Sequence, residues 1–373
     1  HRGNRYPDAA IGALTYRDSP DNGHQGFLYS PAGYIDEYRA TQTPLLLVSG
    51  WADGAYQLGA LRKYRSRPAH TWVVIGPWSH GPGAVTDPCA GSLAFRGRRS
   101  DLTIPFFNRF LKGEANGFDE APPIRYYTYC ANEWKYAHSW PPEGSMKRFS
   151  FGSLGTLVPQ LSREETAVEL PYDDLATSGG ATRWVSLVDW RRKTRYADRA
   201  DQAEHGVGFS SQPMADDVTI SGSPVISLSL EALSKDAAVF AYLEDVAPDG
   251  SVTYITEGQL RLLHRATTDR LYDGYSPVRS FSEGTARELI PGERYEVSFG
   301  LYPISYRFAA GHRLQVTLTR ADADNFLPIG PSGEGSLLIF IGGASGSRIQ
   351  LPIEANGRPI WERSAPQPGK DKR

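Results

Sequence analysis

Cysteine and methionine are nearly missing from this sequence, with two of each in 373 residues. Cys89 and Cys130 are too few for the disulfide framework of a small secreted domain, and no Cys/His cluster has the spacing of a zinc site. No metal or other cofactor is expected. A charge excess of either sign is missing as well. The 40 Lys and Arg against 42 Asp and Glu leave a formal charge of −2, which gives no electrostatic reason to propose nucleic acid or an anionic membrane as partner. No apolar run approaches the roughly 18 residues of a membrane-spanning helix. A removed leader peptide and a homo-oligomer both stay open, and so does the compartment, with a cytoplasmic setting as the expectation.

What is present is a chain long enough, at 40% hydrophobic content, to bury two cores, and two domains are expected. The stretch 44–83 carries the chemistry. Leu45, Leu46, Leu47 and Val48 form an apolar run between Pro44 and Gly50, which suits a strand buried on both faces. Asp53 follows just past its carboxyl end. Ala55, Leu58, Leu61 and Tyr64 then recur every three residues, with Lys63 and Arg65 near the end, as in a short amphipathic crossover helix. A second apolar run, 71–75, meets the breaker Gly76-Pro77, with His80 in the loop beyond.

Two parallel strands thus deliver Asp53 and His80 to one sheet edge, and open α/β sheets bind ligands at the carboxyl ends of their strands. A carboxylate on one ring nitrogen fixes the imidazole tautomer and stabilises the imidazolium, so the other nitrogen can take a proton from a nucleophile. The order Asp then His matches the last two members of the Ser…Asp…His order of α/β-hydrolases. No G-x-S-x-G nucleophile elbow occurs. The expectation is a C-terminal part of a longer enzyme, with nucleophile and oxyanion hole upstream. Ser49 and Ser79 are poor substitutes: Ser49 belongs to a strand-end turn, and Ser79 adjoins His80 in sequence, where the required geometry rarely forms.

The segments GWADG (50–54) and GPWSHG (76–81) resemble the acid and histidine motifs of the CocE/NonD acyl-hydrolase family, which includes cocaine-esterase-like enzymes, α-amino-acid ester hydrolases and X-Pro dipeptidyl-peptidase relatives. FFNRFLKG (106–113), NEWKYAHSWPP (132–142), LEDVAPDGSVTYITEGQLR (243–261) and AGHRLQVTLT (310–319) agree in order. The resemblance covers roughly positions 44–320. It implies a serine hydrolase whose α/β-hydrolase domain is followed by a β jelly roll of the galactose-binding-like kind, acting on a small ester, amide or short peptide. Asp53 and His80 are then the catalytic acid and base, and Trp51 and Trp78 are candidates to line an acyl pocket, although aromatics at strand ends are as often core packing.

The fold class expected is α/β plus all-β. Residues 1–43 read as irregular, by resemblance the end of a cap region, with Tyr16, Phe27, Tyr29 and Tyr34 available to cover the sheet edge near Asp53. Residues 44–121 read as the C-terminal part of the hydrolase domain, closed by a helix over 102–111 with Asp101 as its cap. From 122 to 365 the periodicity turns strand-like, with candidates at 124–130, 185–188, 218–220, 225–230, 238–243, 252–257, 295–301, 314–318, 337–341 and 348–351. Pro248-Asp249-Gly250 marks a hairpin. Residues 366–373 read as a disordered tail. His24 and the cluster Arg96, Arg98 and Arg99 read as surface loops, His312 as a structural histidine, and Asp322 with Asp324 as a turn without the spaced ligands of a calcium loop. Beside the hydrolase stands an alternative, a non-catalytic β-sandwich that binds or assembles and is attached to an α/β remnant.

Overall fold

A computed structural model describes residues 15–18, 20–21, 24–25, 31–80, 85–89, 100–160, 162–189, 191–268, 275–329 and 337–355. A short helix α1 (Ile35–Ala40) leads into strand β1 (Leu45–Ala52), helix α2 (Tyr56–Ser66) and strand β2 (Thr71–Ser79), the crossover unit expected from the sequence. β1 and β2 pair in parallel. Gln57, Ala60, Leu61 and Tyr64 form the buried stripe of α2. Helix α3 (Ser100–Lys112) follows, and its Phe106 and Phe110 pack on Trp72 of β2, with ring centroids 6.1 and 4.9 Å away. Asp101 falls inside this helix rather than before it.

Two features of this sheet differ from the sequence expectation. β2 continues through Gly76-Pro77 to Ser79, because a bulge against β1 accommodates the proline, which cannot serve a regular ladder. Strands β3 (Ile124–Thr128) and β4 (Glu133–Ala137), placed by composition with the β-rich half, complete the first sheet in the order β1-β2-β3-β4. β3 runs parallel to β2, and β4 turns back antiparallel. An aromatic, β-branched run specifies a strand but not the partner that it joins.

The second sheet has thirteen strands among the described residues, nearly all paired antiparallel. Val225–Ala232 pairs along its whole length with Arg294–Gly300, and in succession with Arg348–Glu354 and Leu337–Ile341. The hairpin Ala238–Val246/Val252–Arg261 turns at the expected Pro-Asp-Gly, where Gly250 takes φ +88 and Asp249 Oδ1 accepts from Ser251 N at 3.0 Å. The predicted strand 185–188 is instead part of helix α4 (Arg183–Val188), since so short an apolar run carries no period that separates the two. Strands Gly144–Gly152, Thr166–Leu170, Val207–Ser210 and Ile304–Phe308 escaped the sequence reading. The first two are largely solvent-exposed and have no continuous apolar run to betray them. After residue 124 the longest described α-helix has six residues, in keeping with a β-rich unit.

One apolar core runs through both sheets, from Leu61, Val73 and Ile124 to Ile226, Leu243, Val316 and Ile339. Backbone bonds join the sheets where Tyr129 N donates to Ser305 O at 2.9 Å and Arg307 N to Tyr129 O at 3.0 Å. Tyr126 and Lys135 both reach Glu354, at 2.8 and 2.6 Å. Tyr16 packs edge-on against His264, whose Nε2 donates to Thr15 O at 3.0 Å, while Phe27 and Tyr29 lie outside the described residues. So do the cluster at 96–99 and the tail 366–373.

Cys89 and Cys130 form a disulfide, with Cα atoms 4.9 Å apart. Such bonds persist in oxidising compartments and are rare in the cytosol, which runs against the cytoplasmic setting expected from the sequence. The bond closes a loop across a sequence separation of 41 residues. By chain entropy, that closure stabilises the fold by roughly 4 kcal/mol. Cys89→Ser, or reductant, is therefore expected to lower the denaturation free energy by about 2–4 kcal/mol, read in urea titrations. An unchanged midpoint contradicts it.

His264 supplies a pH-dependent term. Its burial lowers the imidazole pKa from the ordinary 6.5, and the Thr15 bond opposes this only in part. Because the folded pKa lies below the unfolded one, stability is intact above about 6.5 and declines as pH falls toward the folded value. His264→Gln should flatten that decline in Tm measured between about pH 7 and 5; an identical slope in the variant refutes the assignment.

Candidate active site

The carboxyl edge of β1 and β2 carries the site. Leu45 pairs with Thr71 and Gly50 with Gly76, an offset of 26, but the bulge moves the next pair to Ala52 and Ser79, an offset of 27. The residues that follow are Asp53 and His80. His80 Nδ1 donates to Asp53 Oδ1 at 2.8 Å, so the two residues expected to meet do meet. The turn is held by Asp53 N to Gly50 O at 3.1 Å and Tyr56 N to Asp53 O at 2.9 Å. Tyr56 stacks on the imidazole, with centroids 5.7 Å apart. Among the described residues nothing bonds Nε2, and the His80 side chain is 41% exposed against 17% for Asp53. An oriented imidazole with its far nitrogen open is what a general base requires.

Distance alone does not single this pair out. His312 Nδ1 bonds Asp245 Oδ1 at 2.8 Å and His205 Nδ1 bonds Asp173 Oδ2 at 2.7 Å. Asp245 is buried within the second sheet and also accepts from Tyr306 at 2.8 Å, which fits the structural role expected of His312. Asp322 is likewise saturated, by Ser178, Tyr242 and Asn325, in the expected turn. Only the Asp53–His80 pair stands, among the described residues, at the carboxyl edge of parallel strands. The backbone of His24 lies in a two-residue ladder with Pro20–Asp21.

Trp51 is fully buried, donates Nε1–H to Tyr127 O at 2.6 Å and packs on Trp140. Trp78 is 2% exposed and packs on Trp134. Both brace the strand ends, and Trp51 also forms part of the wall of a cavity of about 510 Å³ shared with Thr86, Asp87, Tyr129, Arg183 and Tyr254. Beyond His80, Thr86 N donates to Pro77 O at 2.9 Å. Asp87, buried beside the disulfide, accepts from Cys89 N at 3.0 Å, Cys130 N at 3.2 Å and Tyr127 at 3.0 Å. These three residues' sulfur and carboxylate atoms lie close enough together for a metal, but disulfide sulfurs are not thiolate ligands.

A buried polar cluster that carries no mark in the sequence meets the backbone of Trp51. Arg183 is 1% exposed and its Nη2 donates to the Trp51 carbonyl. Its guanidinium lies 5.0 Å from the Tyr302 ring, and its backbone N–H donates to Tyr196 Oη at 3.1 Å. Burial pushes the Glu257 carboxyl up, against the pull of Arg183. A charged residue opening an apolar segment, as in RWVSLV, carries no mark in sequence that tells a buried cation from a solvated one.

Fold and site together define a class: a mixed α/β protein, mostly sheet, with the fold of CocE/NonD hydrolases. Residues 116–338 match the family described as the X-Pro dipeptidyl-peptidase C-terminal non-catalytic domain, and the chain belongs to that family. It is 32% identical over 378 aligned residues to a protein named a serine esterase in Mycobacterium bovis, covering 95% of this chain and 60% of that one. Against the cocaine esterase of a Rhodococcus species the identity is 26%, covering 82% of this chain and 53% of the other. The crystal structure of a CocE/NonD family hydrolase from Staphylococcus aureus superposes with a TM-score of 0.64 at 17% identity, covering 85% of this chain and 55% of that one. The chain thus spans three fifths or less of the length of these relatives.

Three glycines test the packing of this edge. A Cβ on Gly50 would lie 2.0 Å from the Trp78 carbonyl oxygen, and one on Gly54, at φ +51, would lie 2.5 Å from Leu187 Cδ1, whereas Gly59 in α2 has open space. Gly54→Ala should destabilise by about 1–3 kcal/mol and Gly50→Ala by more. Gly59→Ala should stabilise by roughly 0.4–1 kcal/mol. Urea denaturation of the three variants checks the order, and a harmless Gly50→Ala contradicts the bulge geometry.

Proposed function

We propose that this chain is the acid–base portion of a serine hydrolase that cleaves an ester or amide, and that the nucleophile belongs to a segment upstream of residues 1–373. The observation that carries the reading is the 2.8 Å bond between Asp53 and His80 at the carboxyl edge of β1 and β2, with no partner on Nε2 among the described residues. The relatives named as esterases and as an X-Pro dipeptidyl-peptidase support the substrate range, a small ester, amide or short peptide. In this reading Nε2 takes the proton of a serine hydroxyl as it attacks the acyl carbon, and returns it to the leaving group. A water molecule, deprotonated by the same nitrogen, then releases the acyl group. Asp53 holds the ring and stabilises the imidazolium throughout. β1 lies at the edge of its sheet with apolar residues Leu45 to Val48 only half-buried, which suits a strand that has a further neighbour.

We read the large sheet as the jelly roll implied by the motif resemblance, supported by its antiparallel pairing, and we extend the hydrolase unit from 121 to Ala137 on the pairing of β3 and β4. Trp51 is assigned to the pocket wall and Trp78 to bracing the loop of His80. The match of 116–338 to a domain described as non-catalytic favours an assembly role for that part beside the catalytic one.

Hydrolysis of p-nitrophenyl esters by residues 1–373 and by the longer natural chain decides the matter. The shorter protein should be inactive and unlabelled by a fluorophosphonate. The longer one should turn over and lose roughly 10⁴-fold or more on His80→Ala. Turnover by the short chain, abolished by Ser79→Ala or Ser49→Ala, would place the nucleophile inside it.

A further inference from the structure

Helix α4 comes from the β-rich half, 130 residues after Asp53 in the chain (183 less 53), yet it closes on the turn that holds Asp53. Two contacts define this. Arg183 Nη2 donates to the carbonyl of Trp51, two residues before Asp53, and Leu187 lies against Gly54, one residue after it. The Trp51 carbonyl sits at the bulge, where Gly50 pairs with Gly76 and Ala52 with Ser79, so Trp51 faces Pro77 and Trp78. Pro77 brings no N–H to that point. A donor from outside the sheet fills the gap.

The cation that supplies it is unusual in its surroundings. Arg183 is 1% exposed, no carboxylate lies within ion-pair distance among the described residues, and its Nε and Nη1 have no hydrogen-bond partner there. Its charge is offset by the Trp51 carbonyl, the Tyr302 ring and the more distant Glu257 rather than by a direct ion pair, and a hydrophobic residue of similar size would often serve stability as well or better. Local rules are broken most often where function requires it. The helix is also fixed at its base: Ser186 Oγ donates to Arg183 O at 2.8 Å, and Arg195 N donates to Ala181 O at 2.8 Å. The guanidinium therefore has a fixed anchor, and its one hydrogen-bond acceptor among the described residues is the backbone carbonyl of Trp51.

We infer that α4 is a clamp on the catalytic turn, with Arg183 as a positioning residue that holds Asp53 in register with His80. The inference rests on the reading of Asp53 and His80 as the acid–base pair. Arg183 touches neither reacting atoms nor substrate in this role; it acts through the backbone of Trp51. The β-rich unit would then control the orientation of the base, and through it the rate.

The test measures the His80 imidazole directly, in residues 1–373, by NMR of the ring nitrogens and the Nδ1 proton, with His80→Gln as the assignment control. Wild type should show Nδ1 protonated and bonded to carboxylate. Its absence in wild type overturns the acid–base reading itself. Given that signature, Arg183→Met should weaken the Nδ1–H signal, as the carboxylate loses alignment. Arg183→Lys, which keeps a donor and the charge, should restore part of the signal. In the longer chain, Arg183→Met should lower kcat by about 10²-fold with KM within about twofold. If Arg183→Met fails to fold, Leu187→Ala decides, with a smaller weakening of the Nδ1–H signal expected. A folded Arg183→Met, or in its stead Leu187→Ala, with the wild-type Nδ1–H signature overturns the clamp.

Discussion

The parallel pairing of β1 with β2, and the single bulge within it, is the constraint on which the site depends. Without the bulge the offset of 26 would run to the end of the strands, and Asp53 would face Ser79 rather than His80. One extra residue in β2 changes the partner of the carboxylate from a hydroxyl to an imidazole. Gly50 is what makes the bulge sterically accessible, since any side chain there meets the Trp78 backbone. Pro77 contributes from the other side by being unable to continue a regular ladder. The local irregularity is thus the means by which two otherwise regular strands bring an acid and a base together.

Holding such a bulge takes support from outside the two strands, and the packing supplies it on several sides. Trp51 is clamped between Trp140 and the Tyr127 carbonyl, and Trp78 lies against Trp134 of β4. Tyr127 also reaches Asp87, whose carboxylate accepts the amides of both disulfide-linked cysteines. The loop after His80 is therefore tied to the β3–β4 hairpin by a covalent bond and a buried carboxylate at once. Burial of one aromatic side chain contributes on the order of 2–3 kcal/mol, comparable to the disulfide. No single tie dominates. What they share is a destination, the backbone on either side of Asp53 and His80.

Much of this was legible in sequence, for reasons that differ by residue. The apolar runs around Val48 and Val73 and the three-residue recurrence through Leu58, Leu61 and Tyr64 are periodic signals, and they gave the crossover and hence the shared edge. Pro248-Asp249-Gly250 is a local signal and gave its turn. Strand partners are not local: the run Ile124 to Thr128 reads alike in either sheet, and only its pairing with β2 assigns it to the first. Helix α4 was taken for a strand because RWVSLV has apolar residues at spacings that suit both. The disulfide was equally hidden, since two cysteines 41 residues apart meet only after β3 has joined β2.

The continuity of the core shows why a β-rich half that carries no acid–base pair at the sheet edge belongs mechanically to the site. Tyr129 hydrogen-bonds across to Ser305 and Arg307, so β3 is tied into the second sheet as well as the first. The hairpin Ala238–Val246/Val252–Arg261 lies almost wholly buried, and Tyr254 from it stacks at 3.6 Å on Tyr196, which in turn accepts the N–H of Arg183. A chain of close-packed groups therefore runs from the second sheet through α4 to the carbonyl of Trp51. The same groups, Tyr254, Tyr196, Arg183 and Trp51, line one side of the cavity of about 510 Å³, so the path runs along its wall as a continuous set of contacts. Under the proposed clamp, this is the path by which the β-rich half would act on the alignment of Asp53 with His80.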